Sequence, residues 1–335
     1  MIRTAILGAS GYVGGELLRL LAAHPRFAPV KLFGDSKAGR ALRAVHPHLA
    51  AAYPHAIFEE FGEASLDGVD LVFAALPHGH SQRLAANILD QGVKFVDLGA
   101  DFRLDDAVTY ERWYGHEHKA PELLDRFIYG IPELNREAIR SADAVAAAGC
   151  YATAAILALK PLVDAGLIQS DSLIVNAASG VSGAGRGAKE ATAFSTVDGS
   201  FSAYGLLGHR HTAEMEMAIG GTVLFTPHLV PMTRGILATC YGEATGPCDP
   251  LHSLGEAYAA EPFVHVTDEA PATKWVAGSN GVRLTARYDQ RTNRVLALSA
   301  LDNLGKGAAG QMIQCANLMF GIDETAGLTT IGVYP

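Results

Sequence analysis

An α/β chain is predicted, with a doubly wound parallel sheet first and then an α+β domain built on a mostly antiparallel sheet. Three observations carry that expectation. Up to residue 149, short aliphatic runs alternate with stretches of helical apolar spacing. A glycine-rich turn separates the first run from the first helical stretch. Beyond residue 150, strand-like runs succeed one another with few helices between them. The chain of 335 residues, 49% hydrophobic and 18% charged, is long enough for two packed domains.

Taken in order, residues 3–7, 30–33, 71–74, 95–97 and 144–147 are aliphatic runs of strand length. Between them, residues 15–24 and 81–91 place apolar side chains on one helical face. A helix is expected over 152–165, just after Cys150. Longer strands follow at 172–177, 224–227, 235–241, 281–288 and 294–300, a succession that favours antiparallel pairing. A last apolar stretch, 308–320, has helical periodicity and is expected to pack back on the first domain. The predicted division is a first domain over 1–149, a second over 150–302, and a returning segment over 303–335.

The charge balance narrows the function classes. With 26 basic against 35 acidic residues the net charge is -9, and no basic face suited to nucleic acid is found. No run approaches the roughly 18 to 20 apolar residues needed to span a bilayer, and the opening MIRTAILGASGYVGG enters glycines where a signal peptide would continue apolar. A cytoplasmic protein without membrane or nucleic-acid partners is expected. Cys150, Cys240, Cys248 and Cys315 form no CxxC pair, so neither a disulfide framework nor a metal site is predicted.

Gly8-Ala9-Ser10-Gly11-Tyr12-Val13-Gly14 follows a strand and opens a helix, the setting in which a glycine turn holds a dinucleotide pyrophosphate. The backbone can approach the anion closely, and the helix N-terminus supplies amide donors. A Rossmann-like first domain follows from this. Asp35, about 20 residues on, suits the ribose 2′-hydroxyl of NAD, but Ser36, Lys37 and Arg40 come next and could hold a 2′-phosphate. NADP(H) is the expected cofactor.

Cys150 lies where an apolar strand ends at Gly149 and a helix begins. A thiol there sits in the positive potential of unpaired amides, which favours the thiolate and suits a nucleophile. The other three cysteines read as small core residues. An acid/base partner with a pKa near neutrality is needed, and His209-Arg210-His211-Thr212-Ala213-Glu214 is the cluster whose arrangement suggests a relay. If Thr212 opens a helix, Glu214 lies close enough to orient one imidazole. His46, His48, His116 and His118 stand in polar stretches where solvation is the expected state. Ser179, Gly180 and Ser182 precede Arg186 in a turn expected to be rich in free amides, an anion-binding nest.

The segments GASGYVGGEL, LPHG, DLGADFRL, YGIPELNR, GCYAT, SGVSGAGR, GHRHTAEM, TPHLVPMTRG and DNLGKGAAGQ, in this order and nearly end to end, resemble the N-acetyl-gamma-glutamyl-phosphate reductases of arginine biosynthesis. The resemblance implies NADPH-dependent reduction of an acyl phosphate to an aldehyde through a thioester on Cys150. It supports His209, His211 and Glu214 as the catalytic group, with His211 first as acid/base. It also implies cofactor contacts from Pro77, Ser179, Gly180 and Asn303 and substrate contacts from Arg103, Ser182 and Arg186, while the broad sheet expected in the second domain suits a homo-oligomer, dimer or tetramer. The chain departs from the family at Gly34-Asp35-Ser36-Lys37, where a Ser-Arg pair is usual. Aspartate-semialdehyde dehydrogenase, an aminoadipyl-phosphate reductase acting on a carrier-bound substrate, and a non-catalytic nucleotide sensor stay open as alternatives.

Overall fold

The structure, a computed structural model, describes residues 1–62 and 66–334. The chain divides into two compact units. One comprises Met1–Ala148 with Ala308–Leu328; the other comprises Gly149–Gly307 with the final residues from Thr329.

The first unit is a six-stranded sheet in the order β2-β1-β3-β4-β6-β5, formed by β1 (Ile2–Leu7), β2 (Phe27–Phe33), β3 (Leu71–Ala74), β4 (Lys94–Asp97), β5 (Phe127–Gly130) and β6 (Ala144–Ala147). All its pairings are parallel. The period-2 alternation of each strand sorts its side chains between two cores. Ile6, Phe73, Val96 and Val145 join Leu17, Leu18 and Leu21 of α1 (Tyr12–Leu21) and Met312, Ile313 and Ala316 of α9 (Gly310–Met319). Ala5, Leu7, Val72, Ala74 and Phe95 face Ala85, Ile88 and Leu89 of α2 (Ser81–Asp90). Helices on both faces are what a parallel sheet requires, since neither face can meet water. Further helices are α3 (Ala107–Tyr114), stopped by left-handed Gly115, and α4 (Pro132–Ser141). The chain order reverses between β1 and β3, and such a switch point opens a crevice at the C-terminal strand ends.

The second unit has seven strands in the order β11-β12-β13-β10-β7-β9-β8. They are β7 (Leu173–Gly180), β8 (Ser202–Ala203), β9 (Val223–Val230), β10 (Ile236–Glu243), β11 (Val264–Val266), β12 (Val282–Asp289) and β13 (Arg294–Leu301). The centre is antiparallel, through β12–β13, β13–β10 and β10–β7, while β7–β9 and β11–β12 are parallel. Helices α5 (Cys150–Asp164), α6 (Phe194–Val197), α7 (His211–Ile219) and α8 (Pro250–Ala257) complete it. Every residue of α5 from Tyr151 to Leu159 is buried, as its nearly all-apolar sequence demands. Val175, Ala177, Ala238, Cys240 and Ala297 are buried on one face of the sheet. On the other, paired neighbours Leu296, Tyr241, Ile174 and Leu224 form a row across β13, β10, β7 and β9, and Leu224 is 50% exposed. Residues 303–307 and the last residues belong to this unit. Asn303 bonds Ser182 and Gly235, and the Thr329 carbonyl accepts from the Asn280 amide.

Among the described residues no helix is long and apolar enough to cross a membrane, and no group of three or more His, Cys, Asp or Glu side chains could hold a metal ion.

Candidate active site

In the first unit, the glycine turn runs from the end of β1 into α1. Gly8 has φ +78°, and a Cβ there would fall on the carbonyl of Ala75, just beyond β3. At Gly14 a Cβ would lie 2.5 Å from the Gly8 oxygen and 2.6 Å from the Ala9 Cα, so helix and turn pack backbone to backbone. Gly11 is the N-cap and contributes no side-chain cap, leaving the first turn of α1 to an external acceptor. Ser10 Oγ donates to the Gly34 carbonyl at 3.3 Å, tying the turn to the end of β2. There Asp35 takes φ +43°, rare for a residue with a Cβ, and begins a tight turn. Ser36 and Arg40 are exposed and Lys37 half-buried on this turn, while Pro77 is exposed on the loop after β3. This backbone hollow without a side-chain cap fits a pyrophosphate, and the turn of Ser36, Lys37 and Arg40 offers hydroxyl and cations for a 2′-phosphate.

His46 is not solvated, as its polar setting predicted. It is 1% exposed, bonds the Ala9 carbonyl at 3.0 Å, and fills the space beside Gly15, where a Cβ would lie 2.6 Å from its ring. His118 is buried too, bonded to the Asp101 carbonyl, whereas His48 and His116 are exposed. Arg103 is buried, its guanidinium donating to the Leu98 carbonyl at 2.7 Å.

In the second unit, Cys150 is the first residue of α5, preceded by extended Gly149 and followed by no acidic residue in the first turn. The Gly149 amide donates to Oε2 of Glu214 at 2.9 Å. The other oxygen of that fully buried carboxylate lies 3.8 Å from Nε2 of His211. Glu214 therefore touches both the entry to α5 and one imidazole. Helix α7 opens at His211, one residue before the predicted Thr212, which sets Glu214 three residues on and on the same face. Behind the cysteine, a Cβ on Gly307 would come 2.7 Å from the Cys150 Cβ. Gly307 lies in a π-type turn, Gly305–Ala309, of the kind frequent at functional sites.

His209 stands in a cage of rings: His211 at 4.7 Å, Phe225 at 5.2 Å, and Tyr151 and Tyr204 each at 5.6 Å. Its Nδ1 accepts the His211 amide at 3.2 Å, so the neutral ring carries its proton on Nε2. Burial, and then the neighbouring His211, push its pKa down to about 3. His209 is thus neutral at physiological pH. Tyr204 donates to the Tyr151 hydroxyl at 3.2 Å, and Tyr151 to the His228 carbonyl at 2.9 Å. Burial raises both hydroxyls, that of Tyr204 to about 12. In the sequence the one signal for these tyrosines is that Tyr151 adjoins Cys150.

The expected amide nest at 179–185 does not form. The Gly180, Val181 and Ser182 amides donate to the carbonyls of Gly235, Met232 and Thr233 in the turn between β9 and β10, and the Gly185 amide closes a local turn on the Ser182 carbonyl. Asn303 accepts the Gly235 amide at 2.7 Å and donates to Ser182 Oγ at 2.9 Å. Ser179 Oγ donates to the Gly180 carbonyl, and Arg186 is exposed beyond the turn.

A parallel nucleotide-type unit joined to a mixed-sheet unit that opens on a cysteine defines a class. The family models for the semialdehyde dehydrogenase NAD binding domain and the semialdehyde dehydrogenase dimerisation domain match residues 3–142 and 150–303. Solved structures of aspartate semialdehyde dehydrogenase II from Vibrio cholerae and of aspartate semialdehyde dehydrogenase with NADP from Candida albicans share the fold. Their TM-scores are 0.72 and 0.68 and their identities 20% and 15%; each match covers 96% of this chain and 99% and 98% of theirs. Within the class the relatives are closer. N-acetyl-gamma-glutamyl-phosphate reductases of Desulforudis audaxviator and Symbiobacterium thermophilum are 49% and 48% identical, over 100% of this chain and 100% and 99% of theirs. The chain belongs to the N-acetyl-gamma-glutamyl-phosphate reductase family.

Proposed function

We propose that the chain reduces N-acetyl-L-glutamyl 5-phosphate to N-acetyl-L-glutamate 5-semialdehyde and phosphate, with NADPH as reductant and Cys150 as nucleophile. The observation that carries this reading is the grouping of Cys150, Glu214 and His211, in which one buried carboxylate bonds the Gly149 amide and lies beside the imidazole. The glycine turn, with Ser36, Lys37 and Arg40, would hold the cofactor, which supplies the hydride when bound.

Cys150 attacks the acyl carbon as a thiolate, the bond to the phosphate oxygen breaks, and inorganic phosphate leaves a thioester on sulfur. That exchange splits one difficult reduction into two easier steps. His211 takes the thiol proton in the first step. Once the carbonyl has been reduced, it manages the proton on the thiohemiacetal oxygen as the C–S bond breaks and the aldehyde departs. Glu214 keeps His211 oriented and fixes the entry to α5. His209 is neutral and donates from Nε2, so it suits a hydrogen bond to a developing oxyanion and not proton shuttling. Arg103, Ser182 and Arg186 remain the candidates for the substrate's anionic groups.

A cytoplasmic homo-oligomer, dimer or tetramer, is part of the same reading. It is supported by the row of apolar side chains on the outer face of the second sheet and by the match to a dimerisation domain.

The deciding experiment is the reverse assay, in which N-acetyl-glutamate semialdehyde, phosphate and NADP are mixed with the protein and NADPH is followed. Phosphate-dependent NADPH formation is expected. Turnover of aspartate semialdehyde alone would overturn the substrate, and equal rates with NAD would overturn the cofactor.

A further inference from the structure

The crevice at the switch point has two walls. One is the glycine turn after β1; the other is the loop over residues 76–81 after β3, whose first residues lie against Gly8. The second wall carries exposed Pro77, His78 and His80 and a left-handed Gly79 at φ +82°. Two buried carboxylates, Asp97 at the end of β4 and Asp101 in the turn after it, restrain it. Asp101 accepts the Gly79 amide at 2.6 Å, the Gln82 amide at 3.2 Å and the Tyr110 hydroxyl at 3.1 Å. Asp97, fully buried, accepts the Ser81 hydroxyl at 2.8 Å and the Gly99 amide at 2.7 Å, both on Oδ1. Gly99 is required here, because a Cβ would lie 2.8 Å from Ser81 Oγ and within 3.0 Å of both Asp97 oxygens. Oδ2 of Asp97 is buried with no hydrogen-bond partner.

We propose that Asp97 is a positioning residue for the cofactor: through Ser81 it latches the 76–81 loop to β4 and so sets the second wall of the nucleotide crevice. This rests on the reading of the first unit as the NADPH-binding unit.

A latch of this kind is sensitive to protonation. Two bonds converge on Oδ1 while Oδ2 has none, so the ionised form leaves part of its charge on a buried oxygen without a donor. The Ser81 and Gly99 bonds favour the anion, as Arg103 does, while Asp101 disfavours it. Burial is the larger effect and raises the carboxyl to about 7. Since the unfolded value is near 3.8, the native state binds more protons between about 4 and 7, and stability falls as pH rises through that window. Above it, the loop is freer to open and hydrate Oδ2.

The test is an NADPH titration of the full chain by fluorescence at pH 6 and pH 8, with denaturant unfolding at both pH values without cofactor. Wild type should bind NADPH roughly tenfold more weakly at pH 8, the scale of one pKa unit. Asp97→Asn keeps an acceptor for Ser81 and Gly99 but does not titrate. It should bind as wild type does at pH 6, show no weakening at pH 8, and lose the alkaline loss of stability. Asp97→Ala should bind weakly at both values. An Asn variant that weakens between pH 6 and 8 as wild type does would overturn the proposal, as would an Ala variant with wild-type affinity. If the Ala variant fails to fold, the Asn comparison decides. Wild-type protein that binds no NADPH at either pH would overturn the underlying functional reading instead.

Discussion

At the mouth of α5, Cys150 stands at a helix N-terminus with no first-turn acid, whereas His209 is ringed by His211, Phe225, Tyr151 and Tyr204 and accepts the His211 amide. The first setting suits a thiolate; the second excludes an imidazolium. Cys150→Ser should therefore abolish reduction while NADPH binding, followed by fluorescence, persists. Wild-type turnover by the serine variant would rule out a thioester. His211→Asn should lower kcat by roughly two to four orders of magnitude, the usual scale of acid–base catalysis. His209 makes a different prediction. Its folded pKa, about 3, lies below the unfolded value of 6.5, so the unfolded state binds the extra proton in that interval. Stability is whole above pH 6.5 and drains as pH falls toward 3. Urea unfolding at pH 4.5 and pH 7 should show a smaller acid loss for His209→Phe than for wild type, the difference being at most about 1.4 kcal/mol per pH unit.

Among the elements, the glycine turn and α1 are coupled by direct backbone contact, so Gly14 admits no methyl group. Gly14→Ala should cost about 1–3 kcal/mol, as overpacking does, and weaken NADPH binding, both measurable by denaturant titration with and without cofactor. Strands β3 and β6 and the helix after Cys150 were legible in the sequence because period-2 and 3.6-residue patterns are local. So were the glycine turn and the histidine cluster, since each is a contiguous motif. The short strand β5 was missed, as four residues beside prolines carry little pattern. His46, Asp97 and Tyr204 escaped for a different reason. Each gains its role from a partner 37, 16 or 53 positions away, a pairing decided by strand order and not by neighbouring residues. The amide nest failed likewise, because three of its donors are taken by the turn between β9 and β10, more than 45 residues away in the chain.

Across the whole molecule, the two units carry opposing pH responses. Asp97 in the first loses stability as pH rises from about 4 to 7, and His209 in the second gains it between about 3 and 6.5. The outer row of Leu296, Tyr241, Ile174 and Leu224 makes the remaining prediction. Leu296→Lys should lower the oligomeric state seen by light scattering while the circular dichroism spectrum is kept; an unchanged mass would place the interface elsewhere. The four thiols also differ in setting. Cys240 and Cys315 are fully buried, burial pushes Cys240 to about 12, and half-buried Cys248 is raised by burial and by Asp249. An alkylating dye added to the native, unmutated chain should accordingly report on Cys150 before any other site. The enzyme thus comes with a built-in attachment point for a spectroscopic label, and the rate of labelling would read out whatever occupies the surroundings of Cys150.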